Sequence, residues 1–284
     1  MTYNELWHQL TPLYEEGEAK AIIRTVMEVA FGLTLTDLYT GKVNEISSEE
    51  KTLLAEFIER LQKGEPVQYV LGQAPFCGRI FKVHEGVLIP RPETEQLCQW
   101  IVAEYNRPYC GLQPPEPLRT LDIGTGSGCI AVTLALELWN SSVSAWDISS
   151  DALLLARENA HRMGAKVDFR MQDALHPEGT DEWDIIVSNP PYICEKEKGQ
   201  MAKNVLDYEP QIALFVPDED PLLFYRAIAI YAIDTLRPDG ALFFEINPMY
   251  AVQMQQMLEG LGFRQTEIKE DQFGKQRFIK SMKR

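Results

Sequence analysis

The first 72 residues carry apolar side chains at the three- and four-residue spacing of amphipathic helices. Two long stripes consist of Ile22, Ile23, Val26, Val29 and Ala30, and of Leu53, Leu54, Phe57, Ile58 and Leu61. Gly32 ends the first stripe, and Gly64 and Pro66 end the second. The second follows Ser47-Ser48-Glu49-Glu50, which is typical of a helix start because a serine side chain caps free N–H groups there. We therefore expect an all-helical bundle over residues 1–72.

Short apolar runs alternate with helical stretches from about residue 91 onward. The pattern predicts buried strands at 118–123, 142–147, 166–171, 183–188 and 241–246. It predicts helices that begin near 93, 129 and 149, and helices over 222–236 and 249–258. Two further strands, 263–269 and 277–280, are joined by a turn at 271–274. This alternation predicts an α/β domain over residues 91–284, with a mainly parallel sheet and an antiparallel end hairpin.

The segments between these elements are rich in turn-forming or charged residues. Residues 73–90 predict a small hairpin, turning near Cys77-Gly78, and a linker. Residues 106–117 predict a loop before the first strand of the sheet, and residues 237–240 predict a turn before the strand 241–246. The charged stretch 195–200 has no hydrophobic period, so it predicts a mobile surface loop, with a lid over a peptide site as the alternative.

Charge and cysteine usage narrow the class of protein. The chain of 284 residues has a formal net charge of −15. Because neutralisation of phosphates drives nucleic-acid binding, such an acidic chain is a poor candidate for gripping long DNA or RNA. We expect no secretory signal, because Glu5, Glu15 and Glu16 interrupt the start of the chain. We expect no membrane span, since no apolar run approaches the roughly 20 residues required. The scattered cysteines predict reduced thiols in the cytoplasm and no metal site. They are Cys77, Cys98, Cys110, Cys129 and Cys194.

A glycine-rich turn follows the predicted strand 118–123. It consists of Gly124, Thr125, Gly126, Ser127 and Gly128, and a predicted buried helix comes directly after it. Glycine lets the backbone turn sharply and lets a ligand approach the main chain closely. The dinucleotide fingerprint would place its third glycine one position later, where this chain has cysteine. The loop therefore favours an adenosine-bearing ligand without a pyrophosphate, and a plain turn is the alternative.

Carboxylates follow the next two predicted strands. Asp147 ends the strand 142–147, about 20 residues past the glycine loop, where a ribose diol is usually held. Its alternative role is to cap the following helix, although Ser149 can do that instead. Asp173 follows the strand 166–171 and is placed to accept from an adenine amino group, with a solvated turn carboxylate as the alternative.

Asn189-Pro190-Pro191-Tyr192 follows the predicted strand 183–188. The two prolines stop the strand, because neither supplies a backbone N–H, and the first biases Asn189 toward an extended conformation. Such a turn can grip a flat group that carries an NH2. The Asn189 side-chain oxygen and a backbone carbonyl freed by the prolines accept from it, while Tyr192 stacks on its face. The alternative is a simple loop in which the tyrosine only packs.

These motifs together resemble the class I methyltransferases that use S-adenosylmethionine. More narrowly, the chain is similar to the HemK/PrmC family, the glutamine methyltransferases of peptide chain release factors. The segments that carry the resemblance are Ile89-Pro90-Arg91-Pro92-Glu93-Thr94-Glu95, Asp122 to Gly128, Asp147, Val187 to Ile193, and Tyr208-Glu209-Pro210 with Ala213-Leu214. Some members carry an aromatic residue beside the adenine, whereas Ala174 and Leu175 follow Asp173 here.

The resemblance implies methyl transfer from S-adenosylmethionine, with S-adenosylhomocysteine as product, to a glutamine in a Gly-Gly-Gln loop of release factors. It implies that residues 189–192 contact that glutamine, that Asn189 also touches the cofactor, and that the helical domain docks the substrate protein. Arg91 and Glu93 are expected near the cofactor pocket, with a structural Arg–Glu pair as the alternative. The other functions left open are an adenine-N6 nucleic-acid methyltransferase acting on a flipped base, and a non-catalytic docking protein that binds S-adenosylmethionine.

Overall fold

The computed structural model describes residues 2–106 and 116–284, which form two compact units. The helical unit contains the residues up to Gln73, together with Val83–Glu85 and Met201–Tyr208. The sheet unit contains Ala74–Lys82, Gly86–Gln200 and Glu209–Arg284. Cys110 and most of the predicted loop 106–117 lie outside the described residues. No helix among the described residues is both long and apolar enough to span a membrane.

Helices and strands are numbered here in chain order. The helices are α1 Tyr3–His8, α2 Glu16–Phe31, α3 Leu35–Tyr39, α4 Ser48–Gln62, α5 Val67–Leu71, α6 Pro92–Tyr105, α7 Cys129–Glu137, α8 Ser150–Met163, α9 Lys203–Tyr208, α10 Leu223–Thr235 and α11 Ala251–Gly260. The strands are β1 Gln73–Phe76, β2 Arg79–Lys82, β3 Leu118–Ile123, β4 Ser141–Asp147, β5 Val167–Met171, β6 Trp183–Ser188, β7 Ile193–Cys194, β8 Phe215–Val216, β9 Leu236–Glu245, β10 Arg264–Glu270 and β11 Gln276–Met282. Short 3-10 helices occupy Lys42–Glu45, Glu195–Gln200, Gln211–Ala213 and Pro248–Tyr250.

The helical unit buries a narrower apolar stripe than the sequence predicts. Ile23 and Leu54 are fully buried, whereas Val29 is 44% exposed and Leu53 is 39% exposed. The predicted start of α4 is confirmed, because the Ser47 side chain accepts from the Glu50 N–H and the Glu50 side chain accepts from the Ser47 N–H. The helical character of the N-terminal region is therefore confirmed. Its helices are stabilised by packing in one shared apolar core, because short helices are only marginally stable in isolation.

The sheet unit is built on a seven-stranded sheet in the order β10-β11-β9-β6-β3-β4-β5. The five strands from β9 to β5 pair in parallel, and β11 pairs antiparallel with both β9 and β10. The predicted α/β class with an antiparallel end hairpin is confirmed. β1 and β2 pair separately through a two-residue turn in which Cys77 and Gly78 both have positive φ.

Both faces of the sheet are buried, as parallel sheets require. Successive residues of β6 point to opposite faces. Ile185 and Val187 pack in one core cluster with residues of α6, α7 and α8. Ile186 packs in a second cluster with residues of α10 and α11. This burial on both faces explains why residues 185–187 of β6 are all apolar.

Two local expectations were wrong. The predicted turn at 237–240 lies inside β9, whose pairing with β6 jumps from Trp183↔Leu236 to Ile185↔Ala241. The extra residues of β9 form a bulge, in which Asp239 has φ 62°. The stretch 195–200, predicted as an irregular loop, forms a 3-10 helix, while its mobility and its role as a lid stay predictions. Glu197 in this helix accepts from the Cys194 N–H and from the Asn247 side chain. These hydrogen bonds hold a segment that contains no buried residue.

Candidate active site

The candidate site lies where four neighbouring strands end. β6, β3, β4 and β5 are adjacent and parallel, so their carboxyl ends share one edge of the sheet. Ser188 pairs with Ile123, and Ile123 pairs with Trp146. The segments that begin at Asn189, at Gly124 and at Asp147 therefore start side by side, at the roughly 4.8 Å spacing of paired strands. Open α/β sheets bind their ligands at this edge.

The glycine loop is folded against the end of β4. The N–H groups of Gly124 and Thr125 both donate to the Trp146 carbonyl, each at 2.9 Å. At Gly128, with φ at 81°, a β-carbon would lie 3.0 Å from the Ala156 β-carbon of α8. Glycine is therefore required at Gly128 both by backbone conformation and by the close approach of a helix.

Asp147 joins the glycine loop to the start of α8. Its Oδ2 accepts from the Gly126 N–H at 2.8 Å, and its Oδ1 accepts from the Ser149 N–H at 2.9 Å. Burial raises the pKa of this carboxyl, although the backbone N–H groups oppose that shift. Ser149 is the N-cap of α8, since its side chain accepts from the Ala152 N–H. The capping role therefore belongs to Ser149, and ribose binding by Asp147 stays a prediction.

Asp122 is a buried carboxylate beside the glycine loop to which the sequence analysis assigned no role of its own. One oxygen accepts from the Thr125 hydroxyl at 2.6 Å and from the Ala131 N–H at 3.2 Å. The other oxygen has no partner among the described residues, and neither has the buried Ser127 hydroxyl. Burial raises the pKa of Asp122 to about 7. An acidic residue inside an apolar strand was the available signal.

Asp122 Oδ1 and Ser127 Oγ are buried without a hydrogen-bond partner among the described residues. Unsatisfied polar atoms of this kind are expected in a loop that binds a charged, polar ligand. At Gly124 a β-carbon would meet nothing within 4 Å, so the main chain there faces open space. These residues fit S-adenosylmethionine, whose methionine end carries both an ammonium and a carboxylate. No group of three or more potential metal ligands occurs within residues 2–106 or 116–284.

Asp173 lies after β5, but both of its carboxylate oxygens have local partners. Oδ1 accepts from the Leu175 N–H at 2.8 Å, and Oδ2 lies 2.8 Å from the His176 ring. The His176 contact holds the pKa of Asp173 below its ordinary value. The structure therefore shows a carboxylate engaged within its own turn, and a hydrogen bond to adenine stays a prediction. Ala174 packs against the core of the sheet unit.

The Asn-Pro-Pro-Tyr turn is held by a buried carboxylate from the neighbouring strand. Ser188 pairs with Phe244 of β9, which places Glu245 beside Asn189. Asn189 Nδ2 donates to Thr94 Oγ1 at 3.2 Å, and the Thr94 hydroxyl donates to Glu245 Oε2 at 2.6 Å. The Tyr192 hydroxyl donates to Glu245 Oε1 at 3.0 Å. Both ends of the turn are thus attached to one carboxylate.

Thr94 and Glu245 are residues whose importance sequence reasoning missed. Thr94 is 3% exposed and Glu245 is 1% exposed. Burial raises the pKa of Glu245, while the Thr94 and Tyr192 hydroxyls and the charge of Arg277 favour its ionised form. Burial likewise raises the pKa of Tyr192, which keeps this hydroxyl a donor. A single glutamate at the end of the apolar run 241–246 was the signal, because an unpaired charge is rarely buried.

Arg91 forms its ion pair with Glu209 and not with Glu93. The Arg91 guanidinium donates to Glu209 Oε1 at 2.5 Å, and the Ile89 N–H donates to Glu209 Oε2 at 3.2 Å. The Glu209 side chain is 1% exposed, so this pair is desolvated on the carboxylate side. A structural pair between Arg91 and Glu93 is therefore wrong, because the partner of Arg91 is Glu209, far along the chain. The expected position of Arg91 and Glu93 near the cofactor pocket stays a prediction.

Comparison with known proteins gives consistent results. Residues 112–210 match the family Methyltransferase small domain, and residues 6–72 match the PrmC N-terminal domain. A protein named release factor glutamine methyltransferase from Bacteroides thetaiotaomicron is 47% identical over 272 residues, 95% of each chain. One of the same name from Flavobacterium psychrophilum is 40% identical, over 95% of this chain and 94% of its own.

A solved structure supports the fold. The crystal structure of a methyltransferase from Pyrococcus furiosus matches with a TM-score of 0.50 and 17% sequence identity. The match covers 72% of this chain and 88% of that one. At 17% identity this similarity supports only the fold of the sheet unit.

Proposed function

The chain belongs to the release factor glutamine methyltransferase family, and on that premise we propose that it methylates the side-chain amide of a glutamine in the Gly-Gly-Gln loop of peptide chain release factors. The methyl donor is S-adenosylmethionine, and S-adenosylhomocysteine is the product. We propose residues 91–284 as the methyltransferase domain, residues 73–90 as hairpin and linker, and residues 1–72 as the domain that docks the release factor in the cytoplasm.

One observation carries this proposal. Ile123 and Ser188 are paired across β3 and β6, so the glycine loop and the Asn-Pro-Pro-Tyr turn begin at neighbouring points. A methyl donor held by Gly124 to Gly128 and a methyl acceptor held by Asn189 would therefore lie close together in space. Such proximity converts a reaction between two molecules into one within a complex.

The proposed cofactor site uses the ends of three strands. Gly124, Thr125, Gly126, Ser127 and Gly128 offer backbone and side-chain polar groups, and Asp147 and Asp173 offer carboxylates toward the ribose and adenine. The bound S-adenosylmethionine supplies a methyl group on a positively charged sulfur. Loss of Asp147 should weaken cofactor binding more than turnover, because its contacts lie at the cofactor loop.

The proposed substrate site has to make a poor nucleophile reactive. The lone pair of an amide nitrogen is delocalised into the carbonyl, so it must be aimed. Asn189 Oδ1 and the Pro190 carbonyl would accept the two N–H bonds of the glutamine, and Tyr192 would stack on its flat face. Pro191 keeps the turn rigid. Orientation of this kind contributes about 7–11 kcal/mol in favourable cases.

The test is mass spectrometry of a release factor after incubation with the enzyme and isotope-labelled S-adenosylmethionine. We expect a labelled methyl group on the glutamine of the Gly-Gly-Gln loop. A release factor in which that glutamine is replaced is the matched control and should gain no label. Label on an adenine oligonucleotide, with none on the release factor, would instead favour the nucleic-acid enzyme. Calorimetry with S-adenosylmethionine separates the third reading, because a non-catalytic docking protein that binds the cofactor should give heat with it and yet leave the release factor unlabelled.

A further inference from the structure

Glu245 connects the two ends of the Asn-Pro-Pro-Tyr turn in the described structure. Thr94 lies between Glu245 and Asn189, and Tyr192 reaches Glu245 directly. None of these contacts follows from the turn's own sequence, because Thr94 comes from α6 and Glu245 ends β9. The question is what this buried chain of polar groups does for Asn189.

Proton counting fixes the direction of the chain. In its ionised form Glu245 can only accept, so the single hydroxyl proton of Thr94 then goes to Glu245, at 2.6 Å. Thr94 Oγ1 is then left as an acceptor toward Asn189. Only the NH2 end of the Asn189 amide can satisfy it, and it does so at 3.2 Å. The oxygen of the same amide must therefore point the opposite way, and no described residue donates a hydrogen bond to it.

We propose that Thr94 and Glu245 are positioning residues that lock the Asn189 amide with its oxygen toward the methyl acceptor. This inference rests on the proposed function, since it assigns the oxygen its partner. With the oxygen locked outward, Asn189 and the Pro190 carbonyl present two acceptors to one NH2 group. A glutamine amide satisfies both, whereas a glutamate carboxylate would bring only acceptors against them.

The charged state of Glu245 decides the direction of the chain, so its surroundings matter. Arg277 favours the ionised form, and Glu93 opposes it. The hydroxyls of Thr94 and Tyr192 both donate to the carboxylate and also favour the ionised form. When Glu245 takes up a proton, its carboxyl group can donate to Thr94 Oγ1. The Thr94 hydroxyl can then donate to Asn189 instead of accepting from it. The Asn189 amide is then no longer held with its oxygen toward the methyl acceptor.

The experiment is steady-state kinetics on a release factor with the wild type and single and double variants of the full chain. Thr94→Val keeps the shape and removes the hydroxyl, and Thr94→Ser restores the hydroxyl. We expect Thr94→Val to lower kcat roughly two- to tenfold, the effect of one hydrogen bond, with the S-adenosylmethionine Kd unchanged. Thr94→Ser should remain within about twofold of the wild type. In an Asn189→Ala background, Thr94→Val should have no further effect on kcat, because Thr94 acts through Asn189.

A second readout separates positioning from mere folding. The kcat of the wild type should fall as the pH drops through the raised pKa of Glu245, and Glu245→Gln should remove that acid limb. Wild-type protein that leaves the release factor unmethylated would refute the proposed function itself. An active wild type with a Thr94→Val effect that is absent, or fully additive with Asn189→Ala, would refute only the positioning role. An acid limb unchanged in Glu245→Gln would do the same for Glu245.

Discussion

Substitution of Gly128 by alanine tests whether the glycine loop is shaped by the helix that packs on it. Gly128 is the N-cap of α7, with φ 81° and ψ 10°. A β-carbon there would lie 3.0 Å from the Ala156 β-carbon and 3.2 Å from its α-carbon. Carbon atoms prefer about 3.5–4.0 Å, so α8 or the loop would have to shift.

Two costs add at this position. A left-handed backbone conformation costs a residue with a β-carbon about 1–2 kcal/mol. Overpacking against Ala156 costs a further 1–3 kcal/mol or so. We therefore expect Gly128→Ala to lower the free energy of unfolding of the sheet unit by about 2–5 kcal/mol, a large share of the stability of a typical domain.

The assay is urea unfolding of a Trp7→Phe background, followed by tryptophan fluorescence, to which Trp146 and Trp183 contribute from buried positions in the sheet unit. Gly164→Ala is the matched control, since Gly164 has φ 70° but nothing within 4 Å of its β-carbon position. The control should lose only about 1–2 kcal/mol. Adding Ala156→Gly to Gly128→Ala should recover part of the difference. If Gly128→Ala and Gly164→Ala lose equal stability, the close approach of α8 does not constrain the loop.

Three further predictions follow from the site. Asn189→Ala should lower kcat by about 10²–10³-fold, as for loss of one preorganised polar contact, with a smaller change in the S-adenosylmethionine Kd; equal losses would make Asn189 mainly a cofactor ligand. Because burial raises the pKa of Asp122 to about 7, the native state keeps a proton that the unfolded chain releases. The free energy of unfolding should therefore fall by about 1.4 kcal/mol for each unit by which the pH rises between roughly pH 4 and 7. Urea titrations of Asp122→Asn across that range should lack this slope. Glu209→Gln should cost about 1–3 kcal/mol in the same assay, because Arg91 loses a buried partner but stays partly exposed; an unchanged midpoint would show that the ion pair contributes nothing.

Much of the sheet and its ligand edge can be predicted from sequence because each depends on local pattern. The run 183–188 has three consecutive apolar residues at 185–187, as a strand buried on both faces should, and β6 has the predicted bounds. The bulge at 237–240 was missed because its residues are ordinary turn formers. Only the pairing of Leu236 with Trp183 reveals that they lie within a strand.

The supports of the site were harder to predict because they depend on contacts between distant segments. Thr94 and Glu245 are 151 positions apart, and Arg91 and Glu209 are 118 positions apart. Such pairs leave no mark on local periodicity. The only sequence clue is the composition itself, in that a glutamate at the end of an apolar run needs partners from elsewhere.

The helical unit is not a single stretch of chain. Residues 201–208 belong to it, and within it the Tyr208 hydroxyl donates to the Lys63 carbonyl at 3.0 Å. The next residue, Glu209, belongs to the sheet unit and is the partner of Arg91. A truncation after residue 73 would therefore separate α9, encoded more than a hundred codons downstream, from the unit to which it belongs. Chimeras that exchange the helical unit between relatives should carry both of its segments together, because otherwise the transferred helices would have to pack against residues 201–208 of the other protein.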